Sequence, residues 1–426
     1  MSRLPDYSAP KHHGRRTQTA GPLQRLRMTS QTRRRVAVVG GGVIGLATAR
    51  SLAERGADVT LFERSHIGAG TSGLSFAWVN SNGKNPQAYH DLNCAGMQEH
   101  VQLQVQARSQ TQAAWLEACG TLEWARDAEQ VARLRRRVDF LKQRHYPVNQ
   151  LSFAELHRRV PDLQWDGCID DVWQYPTECL VHPHVLMGWL RSQASSLSCV
   201  VRENTGVVAL DEAPQRVTLQ LATGDQWRGE ACVLATGRWI PELTRRLGTP
   251  LAMINADEPN KRACGFLATT QPLTAQLDCN LITPELNIRP IGGGRLMLQA
   301  PDLDQYAHPA YVPALDGSVG QEFAARLSRL FTYVRPACLQ SIQVGQRSRP
   351  ADGLPAVGYL VPEGRVYAVV THSGITLAPL LGRLAAEELM SGERHPLLSS
   401  FSPARLIGKT QHDFSEVETI HYPAAQ

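Results

Sequence analysis

The chain has 426 residues, 42% of them hydrophobic, with a net charge of +5 and a mean hydropathy of −0.26. This composition suits a globular protein long enough to bury a large core in two or three domains. No run approaches the roughly 18 apolar residues of a transmembrane segment.

The basic charge is concentrated at the start of the chain. Arg3, Lys11, Arg15, Arg16, Arg25, Arg27, Arg33, Arg34 and Arg35 stand against Asp6 alone. Taking that surplus of eight from +5 leaves the body at about −3, so no nucleic-acid surface is expected. Residues 1–32 are read as a disordered basic tail. It is Arg-rich and acid-poor like a transit peptide, and no apolar stretch follows Arg15-Arg16 as a secretory signal would require. Met28 offers an alternative start.

The first predicted strand is Val36–Val39. Gly40-x-Gly42-x-x-Gly45 follows it directly, and Leu46, Ala49, Leu52 and Ala53 then recur at helical spacing up to Gly56. A second strand, Val59–Phe62, ends in Glu63. Gly40 serves the tight turn, Gly42 lets backbone approach a pyrophosphate, and Gly45 allows close helix–strand packing. Glu63 can accept from an adenosine ribose. Strand, glycines, helix, strand and acid in that order make a dinucleotide site. Glu63 permits NAD or FAD. The long polar loop that follows, "SHIGAGTSGLSFAWVNSNGKNPQAYHDL", favours FAD, because such a loop can wrap an extended cofactor and offer it N–H groups.

Further along, a Gln-rich helix is predicted from Gln87 to Cys119, and the run Arg133–Arg137 is read as a solvated face. His182-Pro183-His184 is read as helix entry and not as a metal site, for want of a nearby third ligand. Gly292-Gly293-Gly294 marks a strand–turn–strand hairpin and not a second dinucleotide site. Nine scattered cysteines without a CxxC motif point to reduced thiols in the cytoplasm. Late in the chain, the apolar run Val366–Val370 turns through Thr371-His372-Ser373-Gly374 into a helix with Leu377, Leu380, Leu381 and Leu384 on one stripe. Such a helix start presents unpaired N–H groups and a positive dipole end.

Together, Gly40 to Arg64, the loop "GAGTSGLSFAWVN" and the turn "THSGITLAPLLG" resemble the FAD-dependent D-amino-acid oxidase family, which includes glycine oxidase, D-amino-acid dehydrogenase and sarcosine oxidase. The resemblance runs from about Val36 to Arg405. It implies an α/β fold whose Rossmann-like FAD-binding domain is discontinuous, with an inserted α+β substrate domain built on an antiparallel sheet. The expected FAD-binding segments are 33–96, 176–247 and 345–407, the substrate segments are 97–175 and 248–344, and 408–426 is a tail. The resemblance assigns cofactor contacts to Gly40, Gly42, Val43, Ile44, Gly45, Glu63 and Arg64, and to Gly70, Thr71 and Ser72 in the loop. It adds the Val207 backbone, the turn Ala235-Thr236-Gly237, Gly353, and the late helix start at Ser373, Gly374, Ile375 and Thr376. That helix would face the flavin's pyrimidine end, where charge develops on reduction.

The implied reaction oxidises the C–N bond of an amino acid or secondary amino acid by hydride transfer to flavin N5, giving an imine that hydrolyses. It needs the donor C–H placed over the flavin, and a cation for the substrate carboxylate. Counting back from Asp352-Gly353 puts Arg347 at the family's carboxylate-binding position, although Ser348 replaces the proline expected next. Arg289 and Arg349 are the alternatives. Trp78 and Asn80 are candidates to face the ring, and His372 to bond the flavin or tune substrate protonation. Gly345 occupies the position of a flavin-linking cysteine in some relatives, so noncovalent FAD is expected. The electron acceptor is O2 or a quinone. A 2-hydroxy-acid dehydrogenase, and a flavin-binding sensor or partner protein without turnover, are the alternative readings.

Overall fold

Val36 to Val39 form one unbroken apolar run because their strand has no solvent face. In the computed structural model, which describes residues 33–164, 171–258, 263–334 and 338–414, strand Arg35–Val39 lies between two parallel neighbours, Asp58–Phe62 and Ala231–Leu234. Sheets of this kind are covered on both faces, so alternation of polar and apolar residues is lost. Val366–Val370 extends the sheet in parallel beyond Ala231–Leu234, and Val200–Arg202 extends it beyond Asp58–Phe62. Ala356–Tyr359 closes one edge antiparallel to Val366–Val370. The six-stranded sheet thus joins strands from both ends of the described chain.

One face of this sheet is covered by helices Val43–Glu54, Pro183–Ser196, Gln87–Thr111 and Gly374–Ser391, with a shared apolar core. Two glycines set the helix spacing. A Cβ at Gly382 would lie 2.6 Å from the Ala47 backbone, and one at Gly96 would lie 2.7 Å from the Thr376 carbonyl oxygen. The other face packs on a three-stranded antiparallel sheet, Val207–Ala213, Arg216–Leu221 and Gln226–Gly229.

The second large sheet has eight strands drawn from 121–175 and 264–346. Their order is Leu339–Gln346, Cys264–Thr270, Arg295–Gln299, Asn287–Gly292, Asn280–Ile282, Thr121–Trp124, Val172–Tyr175 and Asn149–Leu151. It was expected to be antiparallel, and it is so except where Asn280–Ile282 runs parallel to Thr121–Trp124. The triple glycine turns the Asn287–Gly292/Arg295–Gln299 hairpin, with all three residues at positive φ. Helix Ser318–Leu330 packs its apolar stripe into the core of this sheet.

Two expectations are corrected. The helix from Gln87 ends at Thr111 and not at Cys119. Gln112 takes a left-handed conformation there, and Gln104 reaches past the end to hold the departing chain, accepting from Trp115 N at 2.8 Å and Leu116 N at 3.0 Å. The run Arg133–Arg137 is not wholly a solvated face. Arg137 turns inward to an ion pair with buried Glu123, which also accepts from the Tyr175 hydroxyl at 3.0 Å. His182 leads into helix Pro183–Ser196 and bonds Glu117. The eight described cysteines form no disulfide. Among the described residues, no helix is long and apolar enough to cross a membrane. The expected basic tail, 1–32, and residues 415–426 of the expected C-terminal tail lie outside the described residues.

Candidate active site

The glycine turn is built as its spacing requires. Gly40 has φ +110°, and a side chain there would run into the Ala235 carbonyl. A Cβ on Gly45 would collide with the carbonyl of Gly40. These contacts bring the turn after the first strand against the turn after Ala231–Leu234, so that Gly42, Val43, Ile44, Ala235 and Gly237 share one wall. Glu63 accepts from Gly41 N at 2.7 Å and from Ser65 N at 2.9 Å, which pins its carboxylate at the carboxyl edge of the sheet. Ser72 accepts from Val43 N at 3.1 Å, and Thr71 donates to the Gln346 carbonyl at 2.7 Å. The polar loop therefore ties the first helix start to the strand Leu339–Gln346.

These walls border an open cleft. Of the residues expected at the site, it is lined by Gly42, Val43, Ile44, Thr71, Ser72, Trp78, Asn80, Ala235, Gly237, Arg347, His372, Ser373, Gly374, Ile375 and Thr376. Gly40, Gly45, Glu63, Arg64, Gly70, Val207, Thr236, Gly353, Arg289 and Arg349 are not on its wall. Gly40 and Gly45 shape the turn from behind. Arg64 stacks on Trp239, 3.9 Å from the ring centroid, and Gly70 abuts the same ring. Val207 begins the three-stranded sheet, and Gly353 sits in a turn at φ +79°.

The late helix start opens on the cleft. Ser373 does not cap its own helix; its hydroxyl pairs with the Tyr89 hydroxyl at 2.6 Å. A Cβ on Gly374 would meet nothing within 4 Å, so no protein neighbour demands a glycine there. Two helix N-termini, at Val43 and Gly374, thus meet one cavity.

Charged side chains crowd the other end. Arg347 lines the cleft, but its guanidinium donates to buried Asp304 at 2.5 Å and to the Cys264 carbonyl at 2.9 Å. Arg289 is not brought to the cleft wall. It is buried on the Asn287–Gly292 strand with its guanidinium on the Val181 carbonyl at 2.9 Å, and burial pushes its pKa down to about 10. It braces the Cys179–Val181 strand and does not face the cleft. Arg349 is buried near Lys84 and His372, both of which its charge disfavours as cations. Burial, then Arg349, Lys84 and Arg347, hold His372 well below the usual histidine range, so it is a neutral imidazole.

Trp78 lines the cleft and donates its indole N–H at 2.7 Å to Glu178, a fully buried carboxyl that also accepts from the Tyr146 hydroxyl at 3.0 Å. Burial pushes Glu178 up to about 8. Asn80 is engaged within its own loop, donating to the Trp78 carbonyl at 3.3 Å and accepting from Asn82 N at 3.1 Å. Lys84, Asp304 and Glu178 were missed from the sequence. Lys84 stands in a polar loop where a lysine is unremarked, and nothing near Asp304 or Glu178 announces burial.

The walls suit FAD on two counts. Gly374 leaves room where any other residue would add a Cβ, and two helix starts face an acceptor-rich guest. Gly42, Val43, Ile44, Thr71, Ser72 and the turn at Gly374 are the residues that would hold it.

Comparison with known proteins agrees. The family described as FAD dependent oxidoreductase matches residues 35–388. Glycine oxidase of Geobacillus kaustophilus is 25% identical over 385 residues, covering 88% of this chain and 97% of that protein. Its crystal structure superposes with a TM-score of 0.76 at 24% identity, over 88% of this chain and all of the other. L-proline dehydrogenase from P. horikoshii shares the fold at a TM-score of 0.73 and 18% identity, over 88% and 97% of the two chains. The chain belongs to the DAO family of FAD-dependent oxidoreductases, and it is an enzyme of that class.

Proposed function

We propose that the enzyme oxidises the C–N bond of an amino acid or secondary amino acid to an imine, which water then hydrolyses. Noncovalently bound FAD would supply the two-electron acceptor. The observation that carries the reading is the asymmetry of the cleft. One end offers backbone donors and helix starts, while the other offers a positive wall with a neutral imidazole. A positive wall recruits a carboxylate. A neutral His372 adds no charge to that wall, and its free ring nitrogen can accept a hydrogen bond from the substrate amine. Trp78, clamped by Glu178, closes the side of the cavity and limits water. The eight-stranded sheet, with strands from 121–175 and 264–346, would serve as the substrate domain over the FAD-binding sheet. Gly345 lies on the cleft wall, and no cysteine lines it among the described residues, which supports noncovalent attachment. The similarity to a glycine oxidase and the fold shared with an L-proline dehydrogenase favour an amino-acid substrate.

The test is anaerobic mixing of the purified protein with panels of amino acids, N-alkyl amino acids and 2-hydroxy acids, following the flavin absorption. Bleaching by amino or N-alkyl amino acids is expected. Bleaching by hydroxy acids alone would transfer the reading to a hydroxy-acid dehydrogenase, and no bleaching by any member would favour a protein without turnover.

A further inference from the structure

Helix Gly374–Ser391 carries a proline inside it, Pro379. Proline has no N–H, so the Ile375 carbonyl, four residues earlier, loses its α-helical donor. A neighbouring helix supplies one. His100, fully buried on helix Gln87–Thr111, places Nε2 2.7 Å from the Ile375 carbonyl oxygen. A carbonyl only accepts, so Nε2 carries the proton and Nδ1 is the bare nitrogen. Nδ1 is buried and has no partner among the described residues. Burial pushes the pKa of His100 down to about 4, which keeps the ring neutral. An apolar side chain would fill the same space without burying an unpaired nitrogen, so packing alone does not account for a histidine there.

The amide held in this way belongs to the cleft. The Ile375 carbonyl and the Thr376 N–H are the two ends of one planar peptide unit, and both residues line the cleft wall. The helix's own ladder begins one residue later, where Leu377 N donates to the Ser373 carbonyl at 3.0 Å. Thr376 N–H is therefore one of the first-turn donors that a helix leaves without an internal partner. A donor on the carbonyl of an amide fixes its plane and polarises its N–H toward the next acceptor. Helix Gln87–Thr111 meets the same turn at two further points. The Tyr89 hydroxyl pairs with the Ser373 hydroxyl at 2.6 Å, and Gly96 leaves the space that the Thr376 carbonyl occupies. Residues 89, 96 and 100 share one helix face. Of the three, His100 alone is placed to act on the Thr376 N–H through its own peptide unit.

We propose that His100 is a positioning residue for the cofactor: donating to the Ile375 carbonyl in place of Pro379, it holds and polarises the Thr376 N–H as a donor to the flavin. This rests on the FAD reading of the cleft and is independent of which substrate is oxidised. A fixed donor acts most strongly where negative charge develops. Loss of the His100 contact should therefore weaken the anionic flavin more than the neutral, oxidised one.

The experiment titrates the flavin-containing enzyme with sulfite, whose addition to the flavin leaves it anionic, and follows the flavin absorption. His100→Leu removes the donor, and sulfite affinity should fall roughly two- to tenfold, the worth of one hydrogen bond. His100→Gln keeps an N–H at similar reach and should stay close to the wild type. The double variant His100→Leu/Pro379→Ala regains a backbone N–H for the Ile375 carbonyl and should recover most of the affinity. A purely structural role would lower the melting temperature of His100→Leu without moving the sulfite affinity of its folded, flavin-loaded fraction. Unchanged sulfite affinity in His100→Leu would overturn the proposal, as would a double variant that binds sulfite no better than His100→Leu. Should His100→Leu fail to fold, nitrogen NMR of the imidazole in the flavin-free wild type still decides. The Nε2–H tautomer is required there, and an Nδ1–H tautomer or a doubly protonated ring at neutral pH refutes the role. Protein that neither carries nor takes up FAD would instead refute the cofactor reading, whatever the tautomer of His100.

Discussion

The two ends of the cleft are made of different material. One end is backbone: glycine turns, two helix starts and a few hydroxyls, all contributed by short contiguous stretches. The other end carries the ionisable side chains Lys84, Arg347 and His372, with buried Glu178 and Asp304 behind Trp78 and Arg347, brought together from distant parts of the chain. Backbone donors keep their charge distribution at any pH, whereas buried ionisable groups hold theirs only through one another. The first end should therefore fail by collision, and the second by imbalance of charge.

The largest effect should come from Gly45→Ala. Its Cβ would strike the Gly40 carbonyl, a backbone atom that cannot rotate away. Loss of soluble, flavin-containing protein is expected, measured as yield and flavin-to-protein absorbance ratio. Gly374→Ala at the same end sharpens the point: with no protein atom within 4 Å of the new Cβ, the melting temperature of the flavin-free protein should hold, while FAD affinity falls. If both variants retain FAD equally, neither helix start touches the cofactor.

Next in size is Arg347→Met, which strands Asp304 as a buried uncompensated carboxylate. Removing one partner of a buried pair typically costs about 3–5 kcal/mol, visible in chemical denaturation. Arg347→Met combined with Asp304→Asn should recover much of that loss. A single variant as stable as the wild type would show that the pair is not a structural element.

A smaller effect is expected from Glu178→Gln. The folded pKa of Glu178 is raised from 4.5 to about 8, so its contribution to stability is fully present below the lower value and is lost as pH rises through the upper one. The melting temperature of the wild type should decline between about pH 5 and 8 more steeply than that of Glu178→Gln, which can still accept from the Trp78 indole. Parallel curves would mean that Glu178 keeps its charge when folded. The smallest effect should follow deletion of residues 1–30. That stretch shows no apolar periodicity, so flavin content, turnover and melting temperature should stay within error, and loss of FAD would show that the tail docks on the body.

The Rossmann-like unit could be read from the sequence because its determinants are local. A fully buried parallel strand must be apolar throughout, the turn after it must be glycine where backbone meets backbone, and the acid must follow the second strand; each constraint falls within a few consecutive residues. The hairpin at Gly292–Gly294 was legible for the same reason. Where the helix from Gln87 stops was not, because the Gln104 side chain and the burial of Trp115 end it through contacts beyond any sequence period. The same limit applied to charge. Arg347, Arg289 and Arg349 look alike in the sequence, and only the tertiary structure sets one against Asp304, turns another to the Val181 carbonyl and buries the third near His372. Lys84 and Glu178 drew no notice in the sequence, because the behaviour of an ionisable group depends on its desolvation and on charges brought near by folding, and neither is encoded in the residues beside it.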